Sequence, residues 1–178
     1  MVKSYTFEEK DSFSKKGIEI VSSYLRIAKE TIEVRNVESD PNYQKNDIDI
    51  VWIYREQGDN FIVSIEVKTD SYTTGNFWFE TISNEELKTI GCFFKSKAEY
   101  LFYYFTELDC LYIIHLKTAQ SWLKENVSRF KESRTTTKNN NNQYTHTTVG
   151  RLVPINVIIR EIYGITIIPD ISKSYHNF

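Results

Sequence analysis

The stretch from Asn46 to Asp70, NDIDIVWIYREQGDNFIVSIEVKTD, decides how the rest of the chain is read. It holds two strand-like runs, Asp47 to Tyr54 and Phe61 to Thr69, joined by REQGDN, where Gly58 and Asn60 supply a turn. Side chains alternate faces along a strand, so Ile48, Ile50, Trp52 and Tyr54 share one side of the first run. Phe61, Val63, Ile65 and Val67 share one side of the second. These two apolar sides form the expected core. The opposite sides carry Asp47, Asp49, Val51 and Ile53 on the first run and Ile62, Ser64, Glu66 and Lys68 on the second, so charge accumulates away from the turn. Pairing Tyr54 with Phe61 sets Asp49 opposite Glu66 and Asp47 opposite Lys68; a two-residue slip would keep the faces and change the partners. Opposed side chains have Cβ atoms roughly 4.5–5.5 Å apart, and like charges so placed are destabilising. A divalent cation resolves the conflict, because Mg²⁺ takes hard oxygen ligands at about 2.0–2.1 Å and often uses only one or two carboxylates, keeping several waters.

The periodicity on either side points to a mixed α/β sheet. Ile18, Val21, Leu25 and Ala28 recur at helical spacing within Phe13 to Lys29, and TIEVRNV, Thr31 to Val37, alternates as a strand. ESDPNYQKN breaks regular structure before the hairpin. Downstream, a loop with a short strand over Phe77 to Ile82 is expected, then a helix opened by the Ser96-Lys97-Ala98-Glu99 capping box and ending near Phe105. CLYIIHL, Cys110 to Leu116, reads as a strand covered on both faces, and Thr118 to Phe130 as a helix with Ala119, Trp122, Leu123, Val127 and Phe130 on one side. The polar, Asn-rich stretch Ser133 to Thr148 reads as a flexible loop or long hairpin tip. Pro154 suits a helix first turn, Gly164 the residue past a helix end, and ITII a last strand. One domain over residues 1–178 is expected.

Composition limits the function classes. The chain has 178 residues, 40% of them hydrophobic, with 12 Tyr and 11 Phe, enough to bury a core without staples. A formal charge of -2 excludes a broadly basic protein that coats nucleic acid, while permitting a locally basic cleft. Cys92 and Cys110 form no CxxC pair, and the N-terminus has no secretory pattern or long apolar run, so a reducing, cytoplasmic setting without membrane contact is expected. No zinc pattern, Walker loop, dinucleotide fingerprint or nucleophile elbow occurs, and His115, His146 and His176 make no ligand pattern with the cysteines.

NDIDIVW followed a hairpin later by IEVKTD resembles the PD-(D/E)XK nuclease superfamily, whose signature is an acidic residue on one strand and Glu-x-Lys on the next. The resemblance covers Phe13 to Phe130 and implies a restriction-endonuclease-like or Holliday-junction-resolvase-like αβββαβ core. It implies that Asp49, Glu66 and the backbone carbonyl of Val67 hold Mg²⁺ or Mn²⁺ and that Lys68 acts on the attacking water. Asp49 is preferred to Asp47 because an apolar strand run follows it and the register matches it to Glu66. The literal Pro-Asp dipeptide is not at this position, since Ile48 precedes Asp49 and Pro41 lies upstream. The expected activity is metal-dependent endonucleolytic cleavage of DNA in processing, restriction, repair or mobile-element biology, with a homodimer as a possible assembly.

Other residues carry secondary readings. Glu19 on the first helix, Asp47, Asp70, Glu80 and Gln44 are further candidates at or beside the metal site, each with an ordinary surface or loop role as its competitor. Lys95, Lys97, Lys138 and Arg151 are candidate phosphate contacts. Tyr100, Tyr103, Tyr104 and Phe105 read as core packing in preference to base stacking. Two competing readings remain: a nuclease fold without turnover that binds DNA or protein, and an unrelated α/β domain in which Asp47 and Lys68 form a surface ion pair.

Overall fold

The computed structural model describes residues 4–71, 74–138 and 143–173. Its elements run β1 (Ser4–Thr6), α1 (Phe7–Ile27), β2 (Thr31–Asn36), α2 (Pro41–Gln44), β3 (Ile50–Glu56) and β4 (Asp59–Asp70). Then come β5 (Asn76–Asn84), β6 (Thr89–Ile90), α3 (Cys92–Lys95), β7 (Tyr100–Phe105) and β8 (Cys110–His115). The chain finishes with α4 (Leu116–Asn126), β9 (Lys131–Lys138), β10 (Tyr144–Pro154), α5 (Ile155–Glu161) and β11 (Thr166–Pro169). Two compact units result: one takes residues 14–73, 96–117 and 164–178, the other 1–13, 74–95 and 118–163.

The first unit is built on a six-stranded mixed sheet in the order β11-β8-β7-β4-β3-β2. β2, β3 and β4 make an antiparallel meander, with Tyr54 paired to Phe61 as the hairpin length required. β7 lies parallel to β4, and β8 returns antiparallel to β7. Ile18, Val21 and Leu25 of α1 are buried with Ile50, Val63, Ile65, Val67, Phe102, Tyr104, Leu111 and Ile171 in one cluster. Each such side chain contributes roughly 1.5–3 kcal/mol of apolar burial. The helix can approach β4 this closely because residue 17 is glycine: a Cβ there would lie 1.8 Å from Thr69 Oγ1. On the same sheet Trp52 stacks on Tyr54 at 4.4 Å, and its Nε1 donates to Thr31 Oγ1 at 2.9 Å.

Three expectations are corrected here. The segment expected to be a helix from Ser96 to Phe105 is a connection followed by β7. Ser96 Oγ accepts from Ala98 N–H, and the Glu99 N–H goes to Ser64, so the serine closes a local turn and caps no helix. Leu101 to Phe105 are all buried, and a run lacking a polar face gives no periodicity to separate helix from strand. The crossover from β4 to its parallel neighbour β7 consequently has no helix at Ser96 to Phe105 of the kind the αβββαβ order called for. Second, β3 begins at Ile50 and not at Asp47, which sits in a turn with φ +49°. Third, α1 starts at Phe7, ahead of Phe13.

The second unit contains a five-stranded sheet in the order β1-β9-β10-β5-β6, antiparallel except where β1 meets β9. Most of the Asn-rich stretch is paired strand, with Thr136 opposite Thr147; residues 139–142 lie outside the described residues. The β10-β5 register shifts between Val149 and Gly150, leaving Thr81 of β5 as the extra residue, and a Cβ at Gly150 would lie 2.4 Å from Trp78 Cε2, so the indole rests on bare backbone. Phe77, Phe79, Phe93, Ala119, Leu123, Phe130, Val153 and Ile158 are buried. Pro154 precedes α5 and Gly164 follows it at φ +82°, as their chemistry suggested. Among the described residues no helix is long and apolar enough to cross a membrane.

Candidate functional site

Asp49 is where three strands of the first unit are tied together. Its carbonyl accepts the Val37 N–H at 2.8 Å, just past β2. Its N–H donates to Ile65 O at 2.9 Å although Ile65 is paired with Ile50, so Asp49 steps one residue out of the ladder. Freed from the ladder, its carboxylate turns to the backbone of β4, where Oδ2 accepts the Val67 N–H at 2.7 Å. That N–H belongs to the peptide joining Glu66 to Val67, so the Asp49 carboxylate lies against the Glu-x-Lys segment. Regular pairing of Asp49 with Glu66 is replaced by this side-chain bond, and the turn at Asp47 removes any ladder pairing with Lys68.

The environment of Asp49 is electrostatically unusual. Burial pushes its carboxyl up from 3.8 to about 7; the Val67 N–H opposes this, the charges of Glu38 and Asp47 add to it, and Lys68 opposes it. Asp47 Oδ2 and Glu66 Oε2 are also withdrawn from solvent. The Asp47 turn is held by its own N–H to Gln44 O at 3.1 Å and by Ser96 Oγ, which is buried and donates to the Asp47 carbonyl at 2.8 Å. Lys97 N–H donates to Asn46 O at 2.9 Å and completes the clamp. Glu38 was missed by sequence reasoning. The only signal was its position one residue after Val37, inside a segment that read as an irregular break.

The remaining candidates fall elsewhere or have other work. Glu19 is exposed on α1, which packs on the Val63, Ile65 and Val67 side of β4; Glu66 and Lys68 alternate to the other side. Gln44 is exposed at the end of α2, whose first turn is capped by the Asp40 carboxylate accepting from Asn42 N–H. Asp70 Oδ2 accepts the Tyr103 hydroxyl at 2.8 Å. Lys97 is exposed. In the second unit, Glu80 Oε1 accepts the Cys92 N–H at 3.2 Å at the start of α3, and Lys95 is exposed at the end of α3. Lys138 ends β9. Arg151 donates from its two terminal nitrogens to Phe130 O at 3.2 Å and to Glu132 at 2.8 Å, so both are engaged within the fold.

The Glu38 and Asp47 carboxylates and the Lys68 ammonium therefore act on one half-buried carboxyl. Among the described residues no three His, Cys, Asp or Glu side chains converge into a group able to hold a metal ion by themselves. Asp49, Glu66 and the Val67 carbonyl are hard oxygen donors, the kind that a largely hydrated Mg²⁺ or Mn²⁺ takes in small number. No family model matches the chain, and no curated protein matches it.

Proposed function

We propose that this protein is a divalent-metal-dependent nuclease that hydrolyses phosphodiester bonds in DNA. One observation carries the reading: the half-buried Asp49 carboxyl is bonded to the backbone of the Glu66-Val67-Lys68 segment, inside the negative field of Glu38 and Asp47. A protein gains little from concentrating acidic groups there unless a cation offsets them. The order α1, β2-β3-β4 meander and parallel β7 supports assignment to a restriction-endonuclease-like core, although no helix forms at Ser96 to Phe105.

In this reading Asp49, Glu66 and the Val67 carbonyl hold Mg²⁺ or Mn²⁺, and the ion when bound polarises the scissile phosphate and acidifies a water. Asp49 gives up its proton to bind, and the Val67 N–H fixes which way its carboxylate faces. Lys68 supplies positive charge beside Asp49, where it orients the attacking oxygen or stabilises charge developing on the phosphate. The clamp of Ser96 and Asn46 on the Asp47 turn keeps the acidic groups in place before substrate arrives.

The test incubates supercoiled, linear and branched DNA with Mg²⁺ or Mn²⁺, comparing wild type with Glu66→Ala and Lys68→Ala. Cleavage by wild type, reduced by about 10²-fold or more in either variant, is expected. No wild-type cleavage of any of these substrates would sink the enzyme reading, and cleavage that survives Glu66→Ala would sink the site. DNA bound without cleavage would favour an interaction module on the same fold.

A further inference from the structure

The six-stranded sheet ends in β11 on one side and β2 on the other. β11 is short and terminates at Pro169, which has no N–H to offer a further strand. β2 is different: Ile32, Glu33, Arg35 and Asn36 are exposed, and among the described residues no strand pairs with its outer side. The Val37 N–H bonds to Asp49 O, and Arg35 and Glu33 lie opposite Val51 and Ile53 in the same register. Hydrogen-bonded and non-bonded pairs alternate in an antiparallel ladder, so the main-chain groups of Glu33 and Arg35 point at β3. Those of Val34 and Asn36 point outward.

The side chains on this edge are arranged symmetrically by charge. Glu33 and Arg35 flank Val34 and approach each other within the chain at 3.7 Å, with side chains 50% and 44% exposed. An antiparallel copy of the same strand turned about a two-fold axis at Val34 meets Glu33 with Arg35 and Arg35 with Glu33. It also brings the outward main-chain groups of the two Val34 residues into one hydrogen-bonded pair. The charged residues then occupy the closer, non-bonded pairs, where Cα atoms are about 4.5 Å apart and opposite charges attract best.

We propose that β2 is a self-association edge, pairing antiparallel with β2 of a second copy of this chain about Val34. An edge carrying alternating charge repels most foreign strands and complements its own copy. The register irregularity between Thr31 and Glu33 confines the pairing to the stretch around Val34, so the dimer is weak, with Kd on the order of micromolar to millimolar.

Sedimentation equilibrium of the full chain, without DNA or metal, from about 10 μM to 1 mM tests this over the affinity range proposed. The mass is expected to rise from 21.0 kDa toward twice that value. Val34→Pro removes one outward N–H and leaves the β2-β3 bonds intact, so it is expected to stay monomeric, with far-UV circular dichroism checking the fold. Glu33→Arg and Arg35→Glu should each self-repel and remain monomeric, while an equal mixture of the two forms a heterodimer in which every arginine meets a glutamate. Wild type monomeric throughout, a dimer that survives Val34→Pro, or a mixture no tighter than either variant alone would each overturn the proposal. The charge-swap pair decides the matter if the proline variant does not fold.

Discussion

Asp49 shows how one residue can be a structural tie and a source of instability together. Its carboxyl, raised by burial to about 7 from an ordinary 3.8, keeps its proton in the folded chain at pH values where the unfolded chain has released it. The native state therefore binds more protons between about pH 4 and 7, and stability falls as pH rises through that window. At roughly 1.4 kcal/mol per pH unit the loss is on the order of 4 kcal/mol. Asp49→Asn retains an oxygen to accept the Val67 N–H and removes the charge. Without divalent cations it is expected to be more stable than wild type at pH 8, by about 2–4 kcal/mol, with the gap closing by pH 4. Urea unfolding at the two pH values measures this, and added Mg²⁺ at pH 8 should stabilise wild type alone. A wild-type stability flat from pH 4 to 8 would refute the assignment. Much at this scale was legible in the sequence: Asp49, Glu66 and Lys68 stood out because aspartate is uncommon in strands and Glu-x-Lys followed on the next. Glu38 and the Ser96 clamp were not legible, since both act across turns that no periodicity marks.

Among the elements, the meeting of α1 with β4 is the most constrained. Gly17 leaves no space for a methyl group over Thr69. Alanine ordinarily favours a helix over glycine by about 1 kcal/mol, yet Gly17→Ala is expected to destabilise by roughly 1–3 kcal/mol because the clash outweighs the propensity. In a Thr69→Ala background the same substitution should cost clearly less, and a double-mutant cycle by chemical denaturation reads the coupling. A stabilising Gly17→Ala would show that α1 sits farther from the sheet. The amphipathic stripe of α1 and the alternation of β4 were readable because each element has one wet side. β7 was misread as helix because Leu101 to Phe105 are buried throughout, and only their pairing with β4 and β8 distinguishes strand from helix.

For the molecule as a whole, order along the chain and membership of a unit do not coincide. The six-stranded unit draws its last strand and Ile171, which has no exposed surface, from the end of the chain, after a long passage through the other unit. Ser172 adds its hydroxyl and N–H to the Asp109 carboxylate, at 2.6 and 3.0 Å. Ending the chain after Tyr163 is thus expected to lower Tm by more than about 10 °C, and Ile171→Ala alone to cost roughly 2–5 kcal/mol. A truncated chain that melts with wild type would show that β11 is dispensable. Sequence reasoning found this strand and its preceding Gly164, and expected a single domain. The interleaving of the two units escaped it, because long-range pairing leaves no local signature in composition or spacing.

The tryptophans turn this interleaving into something observable. Trp52, hydrogen-bonded to Thr31 and stacked on Tyr54, belongs to the six-stranded unit, whereas Trp78, seated on the bare backbone of Gly150, belongs to the five-stranded one. A chain retaining one of these indoles and carrying phenylalanine at the other tryptophan positions is a spectroscopic label for one unit at a time. Emission recorded from the two labels would separate melting of the acidic site's own scaffold from melting of its companion, without any foreign dye.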